Sequence, residues 1–165
     1  MGTFGGGLNR FDPKTETFVR YQHHKNDTTG IWSNDVRAIC EDKQGRIWLG
    51  LHDTKLFGYL DPATQQFTRF QAVDYSCSLS TFALESEKDK GFWIGTRAGL
   101  TYFDIQKKVA TKYFSIDPVK YGGGEIYNII RDRFDPSIIW LCTLGSGLIK
   151  FDTRSEQVVQ RWHTG

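Results

Sequence analysis

The stretch NDVRAICEDKQGRIWLG, residues 34–50, reads as two short strands around a turn. Its flanks alternate in period two and are rich in Val, Ile and Trp. DKQG at 42–45 opens with Asp and closes with Gly, as a type I turn prefers. The chain then writes the pattern again, as IYNIIRDRFDPSIIWLC at 126–142 and more loosely as TFALESEKDKGFWIG at 81–95. Trp48, Trp93 and Trp140 are separated by 45 and 47 positions, and each has a small residue two places on: Gly50, Gly95 and Cys142. A further landmark follows each of these and opens the chain as well: GLNRFDP at 7–13, KLFGYLDP at 55–62, GLTYFDI at 99–105 and GLIKFDT at 147–153. All four place Asp after a large apolar residue, at Asp12, Asp61, Asp104 and Asp152. A fixed period of this length sets the architecture before any single residue can be given a chemical role.

The second unit shows the pattern most fully, with strands expected at Val36–Glu41, Arg46–Leu49, Leu56–Leu60 and Phe67–Phe70. Links this short force neighbouring strands to run antiparallel, so each unit is a four-stranded meander. A meander of about 45 residues cannot bury both faces by itself, and copies must stack face to face. The expected fold is therefore all-β: an open fragment of a β-propeller with about three and a half blades. The expected division is a partial first blade at 1–22 and blades at 34–71, 80–115 and 125–163. Because the first unit is entered midway, the chain reads as an excised piece of a larger ring, and uncovered blade faces would invite self-association.

In this scheme each repeated tryptophan projects into the sandwich between two blades, and Gly50 or Gly95 lets the chain turn out of its strand. The repeated Asp caps a turn through its side chain. Four copies of a catalytic acid would have no obvious use. ESEKDKG at 85–91 reads as a solvated hairpin tip, and the inner strand at 81–87 as irregular.

Composition narrows the function classes. The net charge of +2 gives no basic field for nucleic acid or an anionic membrane. No apolar run approaches the roughly 18 residues of a membrane span, and MGTFGGGLNRF lacks the pattern of a secretory signal. Of three cysteines, Cys40 and Cys142 fall in expected strands as small buried hydrophobes, and Cys77 in an exposed turn. No cysteine or histidine spacing suits zinc, and no metal or cofactor is expected. The glycines of KYGGGE at 120–125 lack the strand–turn–helix context of a nucleotide loop.

NDVRAICEDKQGRIWLG and GTFGGGLNRFDPKTETFVRY together resemble the two-component regulator propeller repeat, and the resemblance covers essentially the whole chain. It departs at Leu51 and His52, along Thr81 to Glu87, and at Cys142. The resemblance implies the extracytoplasmic, periplasmic sensor region of a bacterial hybrid histidine kinase. There, propellers precede a sandwich domain, a membrane span, and kinase and regulator modules, and the parent signals through a phosphorelay after detecting a glycan. This segment would hold no kinase chemistry: His23 and His24 sit on a linker between blades.

Ligand contacts are expected from loops on one face, because loops vary while strands hold them rigid. Linkers between blades contribute Trp32, Asn34, Tyr75, Tyr121 and Tyr127. Loops between second and third strands contribute Phe4, His52, Asp53, Arg97 and Ser146. Aromatic faces beside Asn, Asp and Arg would suit an oligosaccharide. Plainer readings stand beside this: Trp32 as a staple at the blade junction, Tyr127 as core, His52 and Asp53 as a polar turn. Two other functions remain open. One is a protein-interaction or dimerisation scaffold; the other is a lyase with His52, Asp53 and Arg97 as base, orienter and anion clamp.

Overall fold

The computed structural model describes residues 1–52, 54, 56–71, 81–87, 90–114 and 124–163. Among these every regular element is a strand. The partial first blade comprises β1 (Leu8–Asp12) and β2 (Thr17–Tyr21). The second comprises β3 (Val36–Glu41), β4 (Ile47–Leu51), β5 (Leu56–Asp61) and β6 (Gln66–Gln71). The third holds β7 (Thr81–Glu87), β8 (Gly91–Thr96), β9 (Gly99–Asp104) and β10 (Val109–Phe114). The fourth holds β11 (Ile126–Arg131), β12 (Ile138–Thr143), β13 (Leu148–Asp152) and β14 (Gln157–Trp162). Each full blade is an antiparallel meander in sequence order, and the inner strands β3, β7 and β11 neighbour one another around the propeller axis.

Successive blades share apolar cores. Leu8 of the first packs with Val36, Leu49 and Leu60 of the second. Trp48 and Phe57 of the second meet Phe92 and Phe103 of the third, and Trp93 and Leu100 of the third meet Ile126, Leu141 and Phe151 of the fourth. Trp48 and Trp93 thus fill the blade sandwiches as the repeat implied. Trp140 is only half-buried, its ring 5.6 Å from that of Trp162 and tilted by 35° to it on the outward face of the fourth blade.

Each of these indoles donates to an acid placed just before the preceding turn: Trp48 to Asp42 at 2.7 Å, Trp93 to Glu87 at 2.9 Å, and Trp140 to Asp132 at 2.7 Å. Asp42 is the fullest case, its side chain 2% exposed. It also accepts from the Gln44 and Arg46 backbone N–H groups, at 3.0 Å each, and from the Arg46 guanidinium at 2.6 Å. Burial works to raise the Asp42 pKa, but these donors together outweigh it and hold the carboxyl below its ordinary value. Asp27, in the linker before the second blade, is pushed down to about 2, first by the Thr29 hydroxyl and then by the Thr29 and Gly30 N–H groups. A carboxyl whose folded pKa lies below its unfolded one stabilises fully above the unfolded value and loses that contribution as pH falls through the folded one. Stability should therefore decline below an ordinary aspartate value of 3.8, with Asp27 titrating near 2. Carboxyl carbon NMR and urea unfolding across this range will show it, and Asp42→Asn should flatten the acid limb.

The glycine after each tryptophan has a different task from the expected one. Gly50 and Gly95 lie inside β4 and β8, and neither has a positive φ. They are places of close approach: a methyl group on Gly95 would lie 2.7 Å from Ile126 Cγ2, and one on Gly50 2.5 Å from Thr81 Cγ2. Both neighbours begin the inner strand of the next blade. Gly2 makes the same approach to Val36. Cys142, in the matching place on the fourth blade, is half-buried, as is Cys40, so neither is the fully buried residue expected. Cys77 lies outside the described residues.

The repeated Asp does cap a turn. Asp12, Asp61, Asp104 and Asp152 accept from the N–H two residues on, at 2.9, 2.9, 2.9 and 2.8 Å. Each turn then passes through a left-handed residue: Glu16, Gln65, Lys108 or Glu156. Thr81–Glu87 forms a strand whose pairing is irregular between Thr81 and Ala83, as expected, but the expectation of a solvated tip is corrected for Glu85 and Glu87. Arg131 of the fourth blade binds Glu85 at 3.0 Å and Glu87 at 2.8 Å, and it donates to the Ser86 carbonyl at 3.1 Å, clamping the two blades.

Candidate functional site

The inner strands share one irregularity. Pairing slips between Val36 and Ala38 on β3, between Thr81 and Ala83 on β7, and between Ile126 and Asn128 on β11. The extra residue is Arg37, Phe82 or Tyr127, at the same place in each repeat. A bulge of this kind re-aims its side chain, and here it turns three of them toward the loops that join second and third strands.

The Arg37 guanidinium lies 4.8 Å over the Phe4 ring. The His52 and Phe82 rings are 6.0 Å apart, and Phe82 stacks on Tyr127 at 4.6 Å with the planes 11° from parallel. Arg97 donates to Glu125 at 2.9 Å. The Tyr127 phenol is raised above its ordinary pKa, first by its hydrogen bond to the Glu125 carboxylate, then by burial and by Glu125's charge. Arg37 and Arg97 both act the other way on it. The result is a ladder of rings and charges at one mouth of the propeller, drawn from all four blades. Phe4 and Tyr127 stand 75% and 48% exposed.

Phe4, His52, Arg97 and Tyr127 are thus brought together, and Tyr127 is not core. Trp32 and Asn34 are not part of this mouth. Trp32 is 7% exposed in the core between the first two blades, with its indole donating to the Leu56 carbonyl at 3.3 Å. The Asn34 side chain accepts the His23 N–H at 2.8 Å and so fastens the linker. Ser146 is buried at 1%. Asp53, Tyr75 and Tyr121 lie outside the described residues. Arg37, Phe82 and Glu125 were missed by the sequence reading. The first two had a signal, since each sits one place after the residue that opens an inner strand.

Residues 30–53 match the two component regulator propeller family. No curated protein sequence matches the chain significantly. Among solved structures, the chain superposes on the extracellular domain of a protein described as a hybrid two component system of B. thetaiotaomicron. The TM-score is 0.78 at 25% identity, over 96% of this chain and 21% of the other. A second extracellular domain from that organism gives a TM-score of 0.72 at 24% identity, over 95% of this chain and 22% of that one. Virginiamycin B lyase from Staphylococcus aureus shares the fold, with a TM-score of 0.69 at 13% identity over 94% and 48% of the two chains. The chain spans about a fifth of the length of the two-component structures it matches.

Proposed function

We propose that this propeller segment senses an extracellular ligand, a carbohydrate, for a hybrid two-component system whose signal crosses the inner membrane to a histidine kinase phosphorelay. In this reading the segment is periplasmic and catalyses nothing itself. The observation that carries the proposal is the threefold bulge: the same position in three repeats turns Arg37, Phe82 and Tyr127 toward one mouth, where the exposed Phe4 and Tyr127 rings, the latter backed by the buried Phe82, lie beside donors and a carboxylate. Rings of this kind stack on the apolar face of a sugar, and Arg97 with Glu125 offers partners for its hydroxyls. The similarity to extracellular domains of two component systems supports the location.

Titration calorimetry against a panel of oligosaccharides tests the reading. Saturable binding is expected, weakened roughly tenfold or more by Tyr127→Ala, a truncation at an exposed anchor that leaves the core intact. Folded protein that binds no saccharide would overturn it. Turnover of a bound glycan that is lost in His52→Ala would point instead to a lyase.

A scaffold role has its own support on the outward face of the fourth blade. Ile130, Leu148 and Trp162 are 52%, 37% and 41% exposed there, beside Trp140. In the same reading this face meets the remaining blades of the parent ring.

A further inference from the structure

The three bulge residues meet the preceding blade in different ways. Arg37 lies over Phe4, Phe82 lies against His52, and Tyr127 lies within the field of Arg97. Two of these places combine a guanidinium with a ring, but in opposite senses. At the fourth blade the ring is on the bulge and the cation on the loop. Arg97 donates to Glu125 at 2.9 Å, and Glu125 stands two residues before the bulge. At the second blade the cation is on the bulge and the ring on the loop. The acid two residues before Arg37 is Asp35, one methylene shorter, and its carboxylate accepts the Gly5 N–H.

Arg37 is therefore left differently from Arg97. Among the described residues no carboxylate lies within ion-pair distance of it, and its contact is the Phe4 ring at 4.8 Å. A guanidinium held over a ring by the cation–π attraction keeps the N–H donors of its edge for another partner. That edge is a planar fork, which matches a carboxylate in two parallel hydrogen bonds. The charge of Arg37 is also felt at the Tyr127 phenol. A sugar ring on Tyr127 and an anionic group on Arg37 thus fall within one ligand.

We infer that Arg37 is the specificity-determining residue of the mouth and that the ligand is an acidic oligosaccharide, with a uronic acid carboxylate held by the Arg37 fork. The inference rests on the carbohydrate-sensing role proposed for the segment. Tyr127, backed by Phe82, carries the apolar face of the sugar. The carboxylate of a uronic acid leaves the ring near its mean plane, so a sugar lying flat on Tyr127 extends it sideways toward Arg37. A single unpaired guanidinium suits one singly charged group. Glu125 does not repel it strongly, because Arg97 and the Tyr127 hydroxyl already hold that carboxylate.

The test is titration calorimetry on the full chain with a panel of uronic acid oligosaccharides, each compared with its carboxyl-reduced form, which keeps the ring and replaces the carboxylate by a hydroxymethyl group. At least one uronate should bind roughly tenfold or more tighter than its reduced form, as expected of a central charged anchor. Arg37→Gln, at an exposed side chain, should bring the two affinities together. Arg133→Gln removes the same unit of charge at an exposed turn beyond the far end of β11, and the preference should survive it. Equal binding of uronate and reduced forms, a preference that persists in Arg37→Gln, or one lost equally in Arg133→Gln would overturn the assignment while leaving carbohydrate sensing in place. So would binding confined to neutral or sulfated saccharides. Folded protein that binds no saccharide of any kind would overturn both.

Discussion

Trp48→Ala should lower the unfolding free energy by about 3–5 kcal/mol, the cost of removing a fully enclosed indole whose pocket cannot collapse. Trp48 is 0% exposed and touches rings from both blades of its sandwich, so both would lose their contact surface at once. The change also leaves the buried Asp42 carboxylate without one of its donors. Trp48→Phe separates the two effects: the ring packing is largely kept while the N–H is lost, at about 1–3 kcal/mol for an under-satisfied buried group. Trp140→Ala should cost only about 1 kcal/mol, as expected of a side chain with one face already in solvent. Urea unfolding of the three variants measures the series. Equal losses at Trp48 and Trp140 would show that the repeat tryptophans do not act by filling the sandwich.

The second large effect falls on the glycines. Gly95→Ala places a methyl group 2.7 Å from both Ile126 Cγ2 and the Ile126 carbonyl oxygen, and the backbone oxygen cannot rotate away. Relief requires the inner strand of the fourth blade to move off the third. The expected cost is about 3 kcal/mol, at the upper end for overpacking a close contact. Gly45→Ala is the contrasting case. Nothing lies within 4 Å of its added methyl group, and only its φ of +75° opposes the change. About 1 kcal/mol should be lost there, the ordinary cost of a left-handed conformation in an L residue. If Gly45→Ala proves as damaging as Gly95→Ala, blade contact is not what requires the second glycine.

Much of this architecture was legible in the chain. The tryptophan period, the four Asp landmarks and the alternation at 36–41 fixed the strands to within one or two residues: β3 matches its expected bounds, and β4 begins one residue later and ends two residues later than expected. These features are local, because strand pattern and turn chemistry are written in neighbouring residues. The role of Gly50 and Gly95 was misread for the opposite reason. A glycine held by a neighbouring blade and one held by its own φ look alike in sequence. The left-handed residues Glu16, Gln65, Lys108 and Glu156 gave no signal either, since no glycine marks them.

The site divides along the same line. The loop residues Phe4, His52 and Arg97 could be named because repeats that agree in their strands differ there. Trp32 and Asn34 come from an equally variable linker, yet one is buried beneath Leu56 and the other holds His23. Nothing adjacent to them in the chain announces those partners.

What the sequence determined by itself is the blade: four strands, their order and turns, and the tryptophan that each full copy carries, because period and turn chemistry act over a few residues. Only the tertiary structure decided which residues share the mouth. Bulges at Arg37, Phe82 and Tyr127 depend on how each inner strand pairs with its neighbour, and the stacking of Phe82 on Tyr127 depends on how closely one blade seats against the next at Gly95.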